Sequence, residues 1–142
     1  MPQARTLQFT TDTGEALRQI QTHFDSPIAS GVVTAGAEDG SSKRRITVQV
    51  VDRLKHPWPA RWLVWVFLAT SPTGAPSGSG NTVAFVSGDV LMTTVVNGMW
   101  LVMADADGRI VFDVTVAGVA SRYVGTQPDA GIPVVSSAVV WA

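Results

Sequence analysis

The chain has 142 residues, enough for one domain whose hydrophobic core needs neither metal nor disulfide. Apolar residues make up 46% and charged residues only 15%, against roughly 25% charged in ordinary soluble domains, so part of the surface is expected to be covered by other subunits. A net charge of −1 and a pI near 6.0 argue against a nucleic-acid binder with a basic face, and the absence of cysteine excludes disulfides and thiolate metal sites.

The chain opens Met1-Pro2-Gln3-Ala4-Arg5, without the apolar stretch of a signal peptide, and no later run approaches the length of a membrane span. Synthesis in the cytoplasm without general export is the expectation, with no membrane partner. Thr6–Thr10 suits a short extended piece. Ala16, Leu17, Ile20 and Phe24 then recur at the spacing of one helical face. Asp12 or Thr13 can cap its start, Glu15 favours the first turn, and Pro27 ends it, which predicts a helix over Thr13–Phe24. Val32–Ala35 is a candidate strand and Ala37–Ser42 a polar loop. Residues 1–43 are therefore expected to form an N-terminal arm, and residues 44–142 a β domain.

From Arg45 the pattern is β. Ile46, Val48 and Val50 alternate with Thr47, Gln49 and Val51, so one face belongs to the core. Lys43-Arg44-Arg45 at the strand's start reads as solvated or as half of a subunit contact. Arg53–Pro59 is a turn stiffened by Pro57 and Pro59. In Trp62–Leu68 both faces are apolar, which suits a central strand or one at a subunit contact. Ser71–Asn81 reads as a flexible loop too polar to pack. Thr82–Val86 and Asp89–Val96 are the next strands. Asn97-Gly98 signals a hairpin with a primed turn into Met99–Met103. Asp105–Gly108 turns the chain into Ile110–Val116, and Val119–Gly125 and Val134–Trp141 close it. Roughly eight strands with turn signals between them describe a sandwich or barrel.

Catalytic constellations are missing from the sequence. The two histidines, His23 and His56, have no second ligand at helical spacing. Asp105-x-Asp107-Gly108 resembles the opening of a calcium loop but lacks the closing acidic ligand, so a hairpin turn accounts for it better. The acidic residues lie mostly in turns, where Asp is favoured for local hydrogen bonding. No nucleophile elbow, phosphate loop or dinucleotide fingerprint occurs. No enzyme activity, metal or cofactor is expected. Of the five tryptophans, Trp100 is expected in the core, and Trp62 and Trp65 on opposite sides of their strand. Trp58, in a proline-flanked turn, and Trp141, beside the C-terminus, are expected to be poor core residues and better interface residues.

The runs Ile46–Asp52 and Arg61–Leu68, then Trp100–Ile110 and Ser121–Val124, resemble the strand-and-turn cadence of small immunoglobulin-like virion proteins of tailed bacteriophages, with Ser136–Ala142 closing the last strand. The resemblance covers residues 45–142. It departs at Leu54–Pro59, where those proteins carry an Asn-Gly type of turn. It implies an immunoglobulin-like β-sandwich preceded by a short helix-containing arm. In function it implies a capsid decoration (cement) protein on the virion surface, bound to the major capsid protein and forming a trimer or dimer. The expected contact residues are Leu17, Ile20 and Phe24 of the arm with Trp58, Trp62, Trp65 and Trp141. The alternatives are a tail-fibre receptor- or carbohydrate-binding module using Trp58 and the Ser71–Asn81 loop, or a tail or adaptor component.

Overall fold

The computed structural model describes residues 28–142, so the helix expected at Thr13–Phe24, with Leu17, Ile20, His23 and Phe24, lies outside the described residues. In chain order the strands are β1 (Ile28–Ala35), β2 (Lys43–Asp52), β3 (Leu63–Ala69), β4 (Asn81–Ser87) and β5 (Asp89–Val95). They continue with β6 (Met99–Met103), β7 (Arg109–Val116), β8 (Ala120–Pro128), β9 (Val134–Val135) and β10 (Val139–Trp141). Two antiparallel sheets result, a four-stranded one in the order β1-β2-β7-β4 and a six-stranded one in the order β10-β8-β3-β6-β5, with β9 also on β8. They face each other as a β-sandwich.

The alternation read from the sequence decides which residues line the interior. Ile46, Val48 and Val50 of β2 face Val64, Val66 and Leu68 of β3 through a core that includes Ile110, Phe112, Val114, Val102 and Val124. Phe85, Trp100 and Phe112 form an aromatic cluster in it, with Phe85 5.2 Å from each of the other two rings. The two sheets approach most closely along β1 and β8: a Cβ on Gly31 would stand 2.8 Å from Thr126 Oγ1, so only glycine fits there.

Several sequence expectations are corrected. β1 pairs with β2 from Ile28 onward, so the sandwich begins ahead of residue 44 and residues 28–35 belong to it. The C-terminal stretch is two short strands, separated by Ser136–Ala138. Val51, expected to point outward, is 4% exposed because the returning Pro57 bridges back to it. The β5–β6 hairpin exists, but its loop is the three residues Val96–Gly98: Val95 pairs with Met99, Gly98 N–H donates to Val95 O (2.9 Å), and Asn97 takes the positive φ of 55°.

The Ser71–Asn81 loop, expected to be too polar to pack, is pinned by hydrogen bonds. Ser77 N–H donates to Leu68 O (2.8 Å), and the Asn81 amide donates to Ser77 O (3.1 Å) and Asn97 O (3.2 Å). Arg122, 8% exposed, reaches into the loop from β8. It donates to Asn81 Oδ1 (2.7 Å) and Ser79 O (3.0 Å), and also to its neighbour's carbonyl, Ser121 O (2.8 Å). A buried guanidinium thereby satisfies two of the segment's acceptors, Ser79 O and Asn81 Oδ1.

Candidate docking surface

The outward positions of the two sheets differ in chemistry. On the four-stranded sheet polar side chains dominate, Thr47, Gln49, Arg45, Arg109, Asp113 and Thr82, with Val32 and Val111 interspersed. Arg45 donates to both oxygens of Asp113 (2.8 and 3.0 Å), and Arg109 Nε donates to Gln49 Oε1 (3.1 Å). The Arg45 guanidinium holds the Asp113 carboxyl below the usual carboxylate range.

On the six-stranded sheet the strand register places Leu63, Trp65 and Phe67 of β3 beside Met103, Leu101 and Met99 of β6. Met92 and Val95 of β5 continue that row on one side, and Gln127, Gly125 and Tyr123 of β8 on the other. Among these positions only Asp89, opposite Met103, is charged, and Arg61 pairs with it at 3.0 Å. A depression of about 210 Å³ opens on this face, lined by Leu63, Trp65, Leu101 and the turn Gln127–Ala130.

β5 sets the edge of this surface. Every residue from Asp89 to Thr94 is exposed, on both faces of the strand, because β5 extends past the cover of the opposing sheet. Leu91 is 57% and Met92 48% exposed. Register shifts between Val90 and Met92 and between Thr93 and Val95 leave Leu91 and Thr94 as extra residues. Two such bulges twist an edge strand and blunt unlimited sheet extension, while leaving its apolar side chains presented. The chain crosses into β5 at Gly88, whose φ of 98° is open to glycine and strained for other residues.

The tryptophans divide. Trp65 lies on the outer face, as the expected alternation with Trp62 requires. Trp62 packs against the core, donates Nε1–H to Asp129 O (2.7 Å) and meets Trp58 edge-on at 5.8 Å. Trp58 is half-buried in that pair, so it is no free stacking platform. Trp141 is fully buried, which corrects the expectation of an exposed terminal residue. β10 pairs with β8 and turns Trp141 inward, so proximity to the chain end does not leave it outside. Trp100 is in the core as expected.

Lys43, Arg44 and Arg45 are each engaged within the chain. Lys43 stands 3.8 Å from Asp39, Arg44 donates to Val140 O (2.8 Å) and Gly36 O (2.6 Å), and Arg45 binds Asp113. The Asp105–Gly108 segment is a turn whose acid is occupied locally. Asp105 accepts from the Ser87 hydroxyl and from the N–H groups of Asp107 (2.9 Å) and Arg109 (3.0 Å). Burial pushes its pKa up, but these donors outweigh burial and hold the carboxyl below its ordinary value. Exposed His56 stands 3.9 Å from Asp52, whose Oδ1 accepts from Leu54 N–H and His56 N–H. Among the described residues no three His, Asp or Glu side chains are grouped to hold a metal ion.

Sequence reasoning anticipated the apolar doubling of Trp62–Leu68 and the strand at Asp89–Val96, but not that β5 is uncovered. Leu91, Met92 and Val90 read as an ordinary half-buried strand, and nothing local records that the opposing sheet stops short of them. No protein-family model matches the chain, and no curated protein matches it.

Proposed function

We propose that this chain is a non-enzymatic structural protein of a tailed-bacteriophage virion. In this reading it is a decoration (cement) protein on an immunoglobulin-like sandwich, bound to the shell of major capsid protein as a trimer or dimer. One observation carries the reading: β5 is uncovered on both faces with Leu91 and Met92 presented, and it continues into a nearly charge-free outer sheet face. Large apolar patches of this kind mark sites of protein contact.

The strand order supports the immunoglobulin-like part. β1-β2-β7-β4 follows the A-B-E-D order of a constant-type domain, and β10-β8-β3 follows G-F-C. The β5–β6 hairpin is then an insertion after the D position that extends the C edge. That insertion supplies the exposed strand, so the feature departing from the plain sandwich is also the one offered to a partner.

Mechanistically, each apolar side chain fully buried on docking contributes about 1.5–3 kcal/mol. A sandwich of close-packed β layers deforms little. Copies spaced over a shell would therefore crosslink neighbouring subunits without chemistry. The direct test is stoichiometry and binding: hundreds of copies per particle and retention on purified shells support decoration. A few to dozens of copies point to a fibre or adaptor, and no virion association removes the proposal.

A glycan-binding module of a tail fibre is the second reading. Its observation is the depression that Trp65 lines together with Gln127 and Asp129, an aromatic residue beside polar ones. A glycan array without hits removes it.

A further inference from the structure

We infer that Asn97 is a positioning residue for the docking strand: its side chain tethers the tip of the β5–β6 hairpin to the opposing sheet and holds β5 in one presented conformation. The consequence for binding rests on the docking reading proposed above; the tether itself does not.

β5 needs a tether because little else holds it. It is the last strand of its sheet, paired with β6 alone among the described residues, and two bulges interrupt that ladder. Its inward positions, Val90 opposite Val102 and Thr93 opposite Trp100, are exposed as well as its outward ones, so the opposing sheet does not cover it. A two-stranded ribbon without cover is marginal in water and opens before the rest of a fold.

Both ends of β5 are fixed all the same. At its root the Ser87 hydroxyl donates to Asp105, a Cβ on Gly88 would stand 3.2 Å from Met103 O, and Asp89 meets Arg61 at 3.0 Å. At its tip Asn97 joins the two sheets. Asn97 Oδ1 accepts from Val83 N–H of β4 (3.3 Å), and Asn97 O accepts from the Asn81 amide (3.2 Å). Asn81, 6% exposed, in turn accepts from Arg122 Nε at 2.7 Å, so β8, β4 and the hairpin tip share one polar chain. The backbones meet there too. A Cβ on Gly98 would stand 2.7 Å from Gly78 N, and one on Gly78 would run into Val96 O.

The residue type meets two demands at once. Position 97 has a φ of 55°, which Asn adopts more readily than most residues. A short side-chain acceptor is also needed, because β4 ends its sheet and Val83 N–H has no further strand to pair with. Of the tip contacts, the bond to Val83 is the one that the Asn97 side chain makes. A strand held at both ends loses less conformational freedom on docking than a loose one, and binds more tightly for it.

Three variants of the full chain test this. Asn97→Gly removes the acceptor and accommodates the positive φ, whereas Asn97→Asp keeps an acceptor in the same place. Gly78→Ala disturbs the tip from the opposite side and leaves the hairpin's own sequence intact. Amides of β5 that pair with β6 are expected to exchange hydrogen at least about tenfold faster in Asn97→Gly and Gly78→Ala, with β2 amides within about twofold of the parent. Asn97→Asp is expected to restore β5 protection. Affinity for purified shells is expected to fall by about five- to tenfold in the two loosened variants and to recover in Asn97→Asp. Unchanged β5 exchange in Asn97→Gly, equal acceleration in β2 and β5, or no recovery in Asn97→Asp would each overturn the tether. Faster β5 exchange with undiminished shell affinity would overturn its role in docking. If the parent binds no shell, the docking reading falls and that role with it, while exchange still decides the tether.

Discussion

Phe67 and Gly125 are direct partners across β3 and β8, and the Phe67 ring lies over Gly125 where a Cβ would otherwise project. An aromatic side chain thereby covers a glycine that contributes nothing itself, closing what would be a gap in the outer face. Gly125→Ala is expected to displace the ring and destabilise the fold by about 1–3 kcal/mol. In a Phe67→Ala background the same change is expected to cost far less. Urea unfolding of the four variants measures the coupling, and additive costs would show that the ring and the glycine act independently.

Trp141 is the C-terminal anchor of the core. Trp141→Ala empties a fully buried site and is expected to cost about 3–5 kcal/mol. Thermal or urea denaturation checks this. A loss below about 1 kcal/mol would mean that β10 contributes little to the folded state.

Arg122 joins β8 to the Asn81 loop by hydrogen bonds to Asn81 Oδ1, Ser79 O and Ser121 O. Arg122→Met keeps much of the volume but leaves those acceptors without their donor. A loss of about 2–4 kcal/mol is expected, with faster amide exchange in residues 77–81 than in β2. Uniform exchange across both would contradict a local role for the residue.

Stability is expected to fall in acid. The carboxyls of Asp113 and Asp105 are held below their ordinary values, so each stabilises the fold fully above the unfolded pKa of about 4 and loses that contribution as pH drops through the folded value. Asp105→Asn removes one of these titrations. Its unfolding free energy is expected to be lower at neutral pH and flatter between about pH 5 and pH 2 than that of the parent. An identical pH profile in both proteins would exclude Asp105 from the linkage.

Leu91→Lys with Met92→Lys tests docking apart from folding. Both side chains are about half exposed, so stability is expected to change by no more than about 0.5 kcal/mol. Retention on purified shells is expected to drop by at least about tenfold, since two desolvated apolar contacts are lost together. Unchanged retention would move the contact away from β5.

Period-two alternation and turn chemistry made most of the sandwich legible from residues alone. Ile46, Val48 and Val50 face inward because successive strand residues point oppositely, and Asp105–Gly108 turns because Gly108 accepts a φ of 71°. Local rules could not decide what each strand lies against. Trp141 is buried, although its place beside the C-terminus suggests a poor core residue, and Leu91 is exposed, because burial depends on how far the opposing sheet extends. The contrast between the charged outer face at Arg45–Asp113 and the apolar one at Trp65–Leu101 likewise needs sheet order, since it joins strands distant in the chain. Residue pattern determined the strands and their inward faces; the meeting of the sheets decided which apolar residues remain available to a partner.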